Sequence, residues 1–164
     1  MKYYDDTIHF EETFSERTGD PTEFDAAIGQ LVQAFSMLEE NMCNLIALLL
    51  KVDTQTGEII TAELSFKGLI NMFSSIVKHK LNLGEFNTNS DETTERLKEL
   101  LKLCNKAEQE RNQVIHSSYV ANRYRIKKTA KFKTGLKTTF EKVSADHLLN
   151  IADFITTVAM NVQE

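Results

Sequence analysis

The longest regular pattern in the chain is residues 21–52, which read PTEFDAAIGQLVQAFSMLEENMCNLIALLLKV. Apolar side chains recur along it at alternating steps of four and three residues, at Phe24, Ile28, Leu31, Phe35, Leu38, Met42, Leu45 and Leu49. This spacing puts them in one stripe along a helix, which must be buried against other helices or a second subunit. Thr22 is a suitable N-cap, with Asp25 in the capping-box position. The sequence DTQTGE, residues 53–58, predicts a turn after the helix.

Three further helices are predicted downstream, each with a one-sided apolar stripe. The second spans about residues 62–81, the third runs from Ser90 or Asp91 to about Tyr119, and Ser144 caps the last. Only six glycines and one proline occur in 164 residues, which argues against loop-rich β-sandwiches and glycine-rich phosphate loops. A chain of this size closes one core. We therefore predict an all-α fold, an up-and-down four-helix bundle.

The pattern changes to a period of two within residues 122–143, where Tyr124 and Ile126 alternate with basic side chains. This segment holds eight basic residues and one acidic residue, although the whole chain has a formal net charge of -5. We predict that it forms a small basic β-hairpin or a three-stranded ribbon inserted before the last helix.

The remaining sequence features define domains and exclude several classes of protein. We expect an N-terminal arm, residues 1–20, followed by a single helical domain, residues 21–164. The longest aliphatic run, Leu45–Leu50, is far shorter than the roughly 18 apolar residues that span a bilayer, so no membrane association is expected. The first residues are acidic where a secretory signal is basic, which predicts a cytoplasmic location. Cys43 and Cys104 lie in helical patterns without a Cys/His cluster, so we expect reduced packing cysteines, no metal site and no cofactor.

One charged side chain interrupts the apolar stripe of the third helix. At about 100° per residue, Arg111 lies in the middle of the stripe formed by Leu97, Leu100, Cys104, Ala107, Val114 and Ile115. A guanidinium keeps its charge, so its burial requires an anionic partner. A carboxylate on a facing helix fits this requirement, and Glu39 is the candidate. A phosphate is the alternative partner, because it matches the guanidinium fork in the same bidentate way.

Two polar side chains accompany Arg111 within one and a half helical turns. His116 follows it by five residues, and Asn112 lies one turn before His116 on the same face. Histidine can accept or donate a proton near neutral pH, although a single histidine near a helix end is often structural. Metal-free RNA cleavage needs a base for the ribose 2′-hydroxyl, an acid for the leaving 5′-oxygen and a fixed cation for the charge on phosphorus. These three residues provide groups of those types.

The stretch ERNQVIHSSY, Glu110–Tyr119, resembles the R-x4-6-H signature of HEPN domains, with a polar residue directly after the arginine. The segment FSMLE, Phe35–Glu39, is similar to the first long helix of bacterial members. HEPN proteins are compact helical bundles with the motif late in the third long helix, where the pattern places it here. The resemblance covers most of the predicted helices, and the N-terminal arm and the basic segment lie outside it.

The resemblance implies a metal-independent endoribonuclease whose active site is formed at a two-fold homodimer interface from two copies of the motif. Arg111 would bind phosphate, His116 would act as acid or base, and Asn112 would position the histidine or the scissile group. On a straight helix Arg111 and His116 differ by about 140° and by roughly 7.5 Å along the axis, so two facing copies converge better than one. The implied setting is toxin, stress or antiviral defence, with an antitoxin or regulatory protein as a further partner.

The basic segment would then follow an RNA backbone without reading its sequence. HEPN toxins commonly carry a tyrosine two residues after the motif histidine, whereas here Ser118 holds that position and Tyr119 follows. Tyr119 is a candidate for substrate stacking or modification, with core packing as the alternative. A merely solvated surface is the alternative for the basic residues. The candidate RNA-binding side chains are Arg123, Arg125, Lys127, Lys128, Lys131 and Lys133.

Two other functions stay open on the sequence. One is a non-catalytic HEPN-like module that binds RNA, nucleotide or a protein partner, with Arg111 in a buried ion pair. The other is a helical dimerisation protein whose apolar seam is its whole purpose. An open site that holds both Arg111 and His116 favours the nuclease, whereas a closed salt bridge at Arg111 favours the other two.

Overall fold

The computed structural model describes residues 21–86, 90–120, 124–129 and 137–163. Within these ranges the chain forms five helices, so the predicted helical class is confirmed. We label them α1 to α5 in chain order: Pro21–Leu50, Thr54–Thr61, Phe66–Asn82, Ser90–Ile115 and Ala145–Gln163.

The core forms along α1, whose predicted apolar stripe is buried except at Ile28, Leu45 and Leu49, which are half-buried against it. Leu31, Leu38 and Met42 are fully enclosed, and Phe24 and Phe35 are buried beside them. The most extensive contact is between α1 and α5, and α3, α4 and α5 all contribute buried side chains to the same apolar cluster. Each helix buries one face because its apolar residues form one stripe, and this stripe is removed from water by packing against the stripe of another helix.

A buried hydrogen bond ties α1 to the C-terminal end of α5. The Asn41 side chain donates from Nδ2 to the Ala159 carbonyl oxygen at 2.9 Å, and its Oδ1 accepts from Gln163 Nε2 at 2.9 Å. Both halves of this buried amide therefore have partners, as a polar group inside a core requires.

The predicted turn at residues 53–58 is wrong, because this segment begins the short helix α2. Asp53 is its N-cap, and its carboxylate accepts hydrogen bonds from the Thr56 backbone N at 2.9 Å and from Thr56 Oγ1 at 2.7 Å. Aspartate and threonine favour turns and helix starts for the same reason, namely side-chain bonding to nearby backbone. The next helix, α3, begins at Phe66 instead of residue 62, with Ser65 as its cap.

The fourth helix ends at Ile115, earlier than the predicted Tyr119. Ser117 N donates to the Val114 carbonyl oxygen at 3.3 Å, a contact that tightens the last turn. The backbone then becomes extended, and strand β1, Ser118–Val120, pairs antiparallel with β2, Tyr124–Thr129. The strand β3, Lys137–Lys142, pairs antiparallel with the other edge of β2.

Some predictions fall on parts of the chain that lie outside the described residues. These parts are the arm, residues 1–20, and residues 121–123 and 130–136, which include Arg123, Lys131 and Lys133. Between residues 118 and 142 the structure describes the strand backbone and not the side chains. The loops and the basic side chains of the predicted insertion therefore stay predictions, as do the domain division and the up-and-down arrangement.

Candidate active site

Arg111 lies on α4 among buried neighbours, as the stripe predicts, with Ala107 and Val114 enclosed one turn away on either side. Its side chain is half-buried. The guanidinium carbon Cζ lies over the ring of Phe35, 5.0 Å from the ring centroid. This distance is within the range of cation–π attraction, so the side chain that meets Arg111 across the helix interface is aromatic.

Phe35 belongs to the core side of α1 and is 3 % exposed. Its ring also contacts Phe66, the first residue of α3, in a T-shaped arrangement with centroids 4.9 Å apart and an interplanar angle of 62°. Such edge-to-face pairs have a preferred geometry and stabilise ring orientation. The ring that meets the guanidinium is therefore held by two helices, α1 and α3.

Asn112 connects the other two residues of the motif. Its Oδ1 accepts a hydrogen bond from Arg111 Nη1 at 2.9 Å, and its backbone carbonyl oxygen accepts from His116 N at 3.1 Å. The amide side chain thus orients the guanidinium, while the backbone bond holds the histidine on the helical path. Asn112 itself is half-buried and lines an open, shallow depression on the surface of α4.

His116 is exposed and directly follows the last residue of α4. Because its N–H makes an i to i−4 bond to Asn112, the backbone there continues the helical spiral for one more residue. On an ideal helix, residues five apart differ by about 140° in direction and by roughly 7.5 Å along the axis. His116 is open to solvent, whereas Arg111 is half-buried.

Two carboxylates surround Arg111 electrostatically. Glu39, on α1, is half-buried, and burial raises the pKa of its carboxyl above the ordinary value, with Arg111 opposing this rise and Glu108 adding to it. Among the side chains that the structure describes, Arg111 forms no ion pair with a carboxylate. Glu39, which the sequence suggested as a salt-bridge partner, thus interacts with the guanidinium electrostatically, at a distance longer than that of a salt bridge.

The guanidinium keeps hydrogen-bonding capacity in this arrangement. An arginine side chain carries five N–H donors in one plane. In the described part of the chain, Asn112 is the acceptor that the structure assigns to them. The remaining donors and the full positive charge are available to an anion such as a phosphate.

The other candidate side chains are placed only through their backbone. Tyr119 lies in β1, opposite Arg125 of β2, and Lys127 and Lys128 continue β2 toward Thr129. The strand that carries Tyr119 begins two residues after His116, so the β-sheet backbone starts next to the motif. This places part of the basic segment near the end of α4.

Sequence reasoning missed the role of Phe35, which it placed in the core stripe alone. Arg111 itself was a signal, because a buried arginine requires a partner. The face of an aromatic ring can be that partner, just as a carboxylate can. Phe35 precedes Glu39 by one helical turn, so both residues lie on the same face of α1. The reasoning that made Glu39 a candidate partner of Arg111 therefore applies to Phe35 as well.

In the described ranges, no three or more His, Cys, Asp or Glu side chains are grouped so that they could hold a metal ion. None of the described helices combines the length and apolar character needed to cross a membrane. Comparison of the chain with protein-family models, curated proteins and solved structures finds no match.

Proposed function

We propose that this chain is a HEPN-like, metal-independent endoribonuclease whose four long helices form an up-and-down bundle. The observation that carries the proposal is the environment of Arg111: a half-buried guanidinium that an aromatic ring and an amide hold, without an ion-paired carboxylate among the described side chains. A permanent cation that is held in place and keeps its charge is suited to a phosphodiester. The exposed His116 lies just beyond it.

In the proposed reaction, a histidine removes the proton of the ribose 2′-hydroxyl, and the 2′-oxygen attacks the adjacent phosphorus. The bond from phosphorus to the 5′-oxygen breaks, and an acid protonates that leaving oxygen. The products are a 2′,3′-cyclic phosphate and a 5′-hydroxyl end. Arg111 stabilises the negative charge that develops on the phosphorus oxygens, and Asn112 keeps the guanidinium in position.

The proposal places this reaction in a homodimer. One copy of the chain offers a single motif histidine, whereas the reaction uses both a base and an acid. On an ideal helix, residues five apart such as Arg111 and His116 also differ by about 140° in direction, which separates their side chains on one protomer. Two motifs across a two-fold axis supply two histidines and two arginines to one phosphodiester. A second subunit thus provides the missing acid or base.

In this proposal the basic segment extends the RNA-binding surface beyond the active site. The biological setting is the one that the HEPN resemblance implies. Positive side chains on the segment after His116 would contact the RNA backbone beyond the scissile phosphate. A cytoplasmic toxin, stress or antiviral system, with an antitoxin or regulatory protein, is the context that we propose. A non-catalytic HEPN-like module that binds RNA, nucleotide or protein is the alternative.

The decisive experiment incubates the purified full chain with total RNA in the presence of EDTA, alongside the variants His116→Ala and Arg111→Ala. We expect cleavage by the unmodified chain that survives chelation, with 2′,3′-cyclic phosphate ends, and loss of cleavage in both variants. His147→Ala is a matched control, because His147 is also exposed but lies on α5, outside the motif.

Circular dichroism checks that each variant is folded. Cleavage that persists in His116→Ala would exclude the proposed mechanism. RNA binding by the unmodified chain without any cleavage would instead favour the non-catalytic module. Sedimentation of the unmodified chain tests the dimer, and a monomer at the concentrations that cleave RNA would exclude the composite site.

A further inference from the structure

We propose that Phe35 is a positioning residue that holds the Arg111 guanidinium in place for an anionic ligand while leaving its charge intact. This inference rests on the proposed function, in which the ligand is an RNA phosphate. The Arg111–His116 motif lies on α4 and the residue after it, whereas Phe35 is a core residue of α1. The inference therefore gives a residue outside the motif a role in the site. Phe35 does not contact the reacting atoms in this proposal and acts through Arg111.

An aromatic ring and a carboxylate would hold the Arg111 guanidinium with different consequences for its charge. A carboxylate at the position of the Phe35 ring would also hold the guanidinium, but it would neutralise the charge and occupy its N–H donors. The face of an aromatic ring attracts a cation through its quadrupole and accepts no conventional hydrogen bond from the in-plane donors. Arg111 can therefore be held at 5.0 Å from the ring centroid and still present donors and charge to a phosphate.

The Phe35 ring is itself held firmly by its neighbours. Phe35 is 3 % exposed, and Phe66 contacts it in a T-shaped pair at 4.9 Å. A ring that is packed in this way has little freedom to move. The cation–π contact with the fixed ring therefore restricts the conformations of the Arg111 side chain. Asn112 adds a hydrogen bond of 2.9 Å to Nη1 and completes the support. A preorganised cation of this kind loses less entropy when it binds an anion.

A second cation–π contact on the same helix offers a matched control. Lys106 Nζ lies over the ring of Phe154 at 4.8 Å from the centroid, between α4 and α5. Lys106 is exposed and lies outside the Arg111–His116 motif. Loss of this contact removes a similar interaction from α4 without touching the proposed site. A change that Phe35 variants show and Phe154 variants lack is therefore attributable to Arg111.

The experiment replaces Phe35 with pentafluorophenylalanine, which reverses the sign of the ring quadrupole with little change in shape, and separately with leucine. The same two replacements are made at Phe154. Three quantities are measured on the full chain: the NMR chemical shifts of the Arg111 Nε–Hε group, the affinity for a short 2′-O-methyl RNA, which cannot be cleaved, and kcat/KM for RNA cleavage. The leucine variant tests whether apolar packing alone is sufficient.

We expect both Phe35 variants to shift the Arg111 Nε–Hε signal and to lower RNA affinity and kcat/KM by about tenfold, which is within the range of a partly desolvated cation–π contact. The Phe154 variants should leave all three quantities unchanged. Unchanged Arg111 signals in the pentafluorophenylalanine-35 protein would overturn the inference, as would equal losses at positions 35 and 154. If Phe35→Leu does not fold, the fluorinated protein decides alone.

Measurements of RNA cleavage and of RNA binding distinguish a failure of the Phe35 role from a failure of the nuclease function. If the unmodified chain cleaves RNA and the Phe35 variants cleave it equally well, the inference is overturned and the nuclease stands. If the chain binds the 2′-O-methyl RNA without cleaving RNA, and the Phe35 variants lose that binding, the inference stands and the nuclease is excluded. If the unmodified chain neither binds nor cleaves RNA, both are overturned.

Discussion

Gly57 of α2 lies directly against Ala47 of α1, and a Cβ atom at residue 57 would be 2.5 Å from the Ala47 Cβ. Both residues are buried, and the Ala47 Cβ is attached to helix backbone, so it cannot rotate away. The approach of α2 to the end of α1 therefore depends on the missing side chain at residue 57.

We predict that Gly57→Ala lowers the free energy of unfolding by about 1–3 kcal/mol, because the added methyl overpacks this contact. Urea unfolding followed by circular dichroism measures the change. Gly29→Ala is the control, since nothing lies within 4 Å of a Cβ at residue 29. Removal of glycine from this exposed helix position should raise stability by about 0.5–1 kcal/mol. Equal effects of the two substitutions would contradict the close approach.

Glu39 should make stability depend on pH. Burial raises the pKa of its carboxyl above the ordinary 4.5, so the folded state holds the proton more tightly than the unfolded state does. The stability from this group is therefore present below about pH 4.5 and is lost as the pH rises through the raised folded-state pKa.

We expect Glu39→Gln to be more stable than the unmodified chain at pH 7, with a difference that shrinks on acidification toward pH 4. Thermal unfolding at a series of pH values measures it. Glu40→Gln, an exposed neighbour on the same helix, should change stability by less than about 0.5 kcal/mol at any pH. A pH profile of Glu39→Gln that matches the unmodified chain would contradict this prediction.

Cys104 should be chemically inert in the folded protein. It is fully enclosed in the core, and burial raises the pKa of its thiol to about 12 from 9.0. Thiolate is the reactive form, so a disulfide reagent at pH 8 should modify Cys43→Ser protein only after a denaturant is added. Rapid reaction of this variant under native conditions would show that the α4 core opens.

The same shift predicts an alkaline loss of stability. An unfolded thiol ionises near pH 9, whereas the buried thiol keeps its proton to about 12, so the free energy of unfolding should fall across this interval. Cys104→Ala should lack that component of the slope, although the smaller side chain lowers overall stability by leaving a cavity.

The basic segment should control the salt dependence of RNA binding. Replacement of Arg123, Arg125 and Lys127 with glutamine is expected to weaken binding and to reduce the slope of log K against log salt by about 2, if each side chain contacts one phosphate of single-stranded RNA. Filter binding at several salt concentrations measures the slope. Lys78→Gln, on the exposed side of α3, should leave it unchanged. An unchanged slope in the triple variant would identify the segment as a solvated surface.

Helix positions were predictable where the apolar period is long and uninterrupted. The stripe from Phe24 to Leu49 predicts α1 to within two residues of its C-terminal end, and the buried residues follow it. Short elements were not predictable in this way. The eight residues of α2 carry too few apolar positions for a period, and Asp53 and Thr56 have the same propensity for a turn as for a helix start.

The amino-acid sequence by itself determined that this protein is helical, that Arg111 interrupts an apolar stripe, and that its charge therefore needs a partner. These conclusions depend on local spacing and on the chemistry of single side chains. Only the tertiary structure decided that the partner is the ring of Phe35 and not the carboxylate of Glu39. The two residues lie one turn apart on α1, and the way α1 packs against α4 selects between them, because packing angle and axial register arise from the whole core and not from either helix alone.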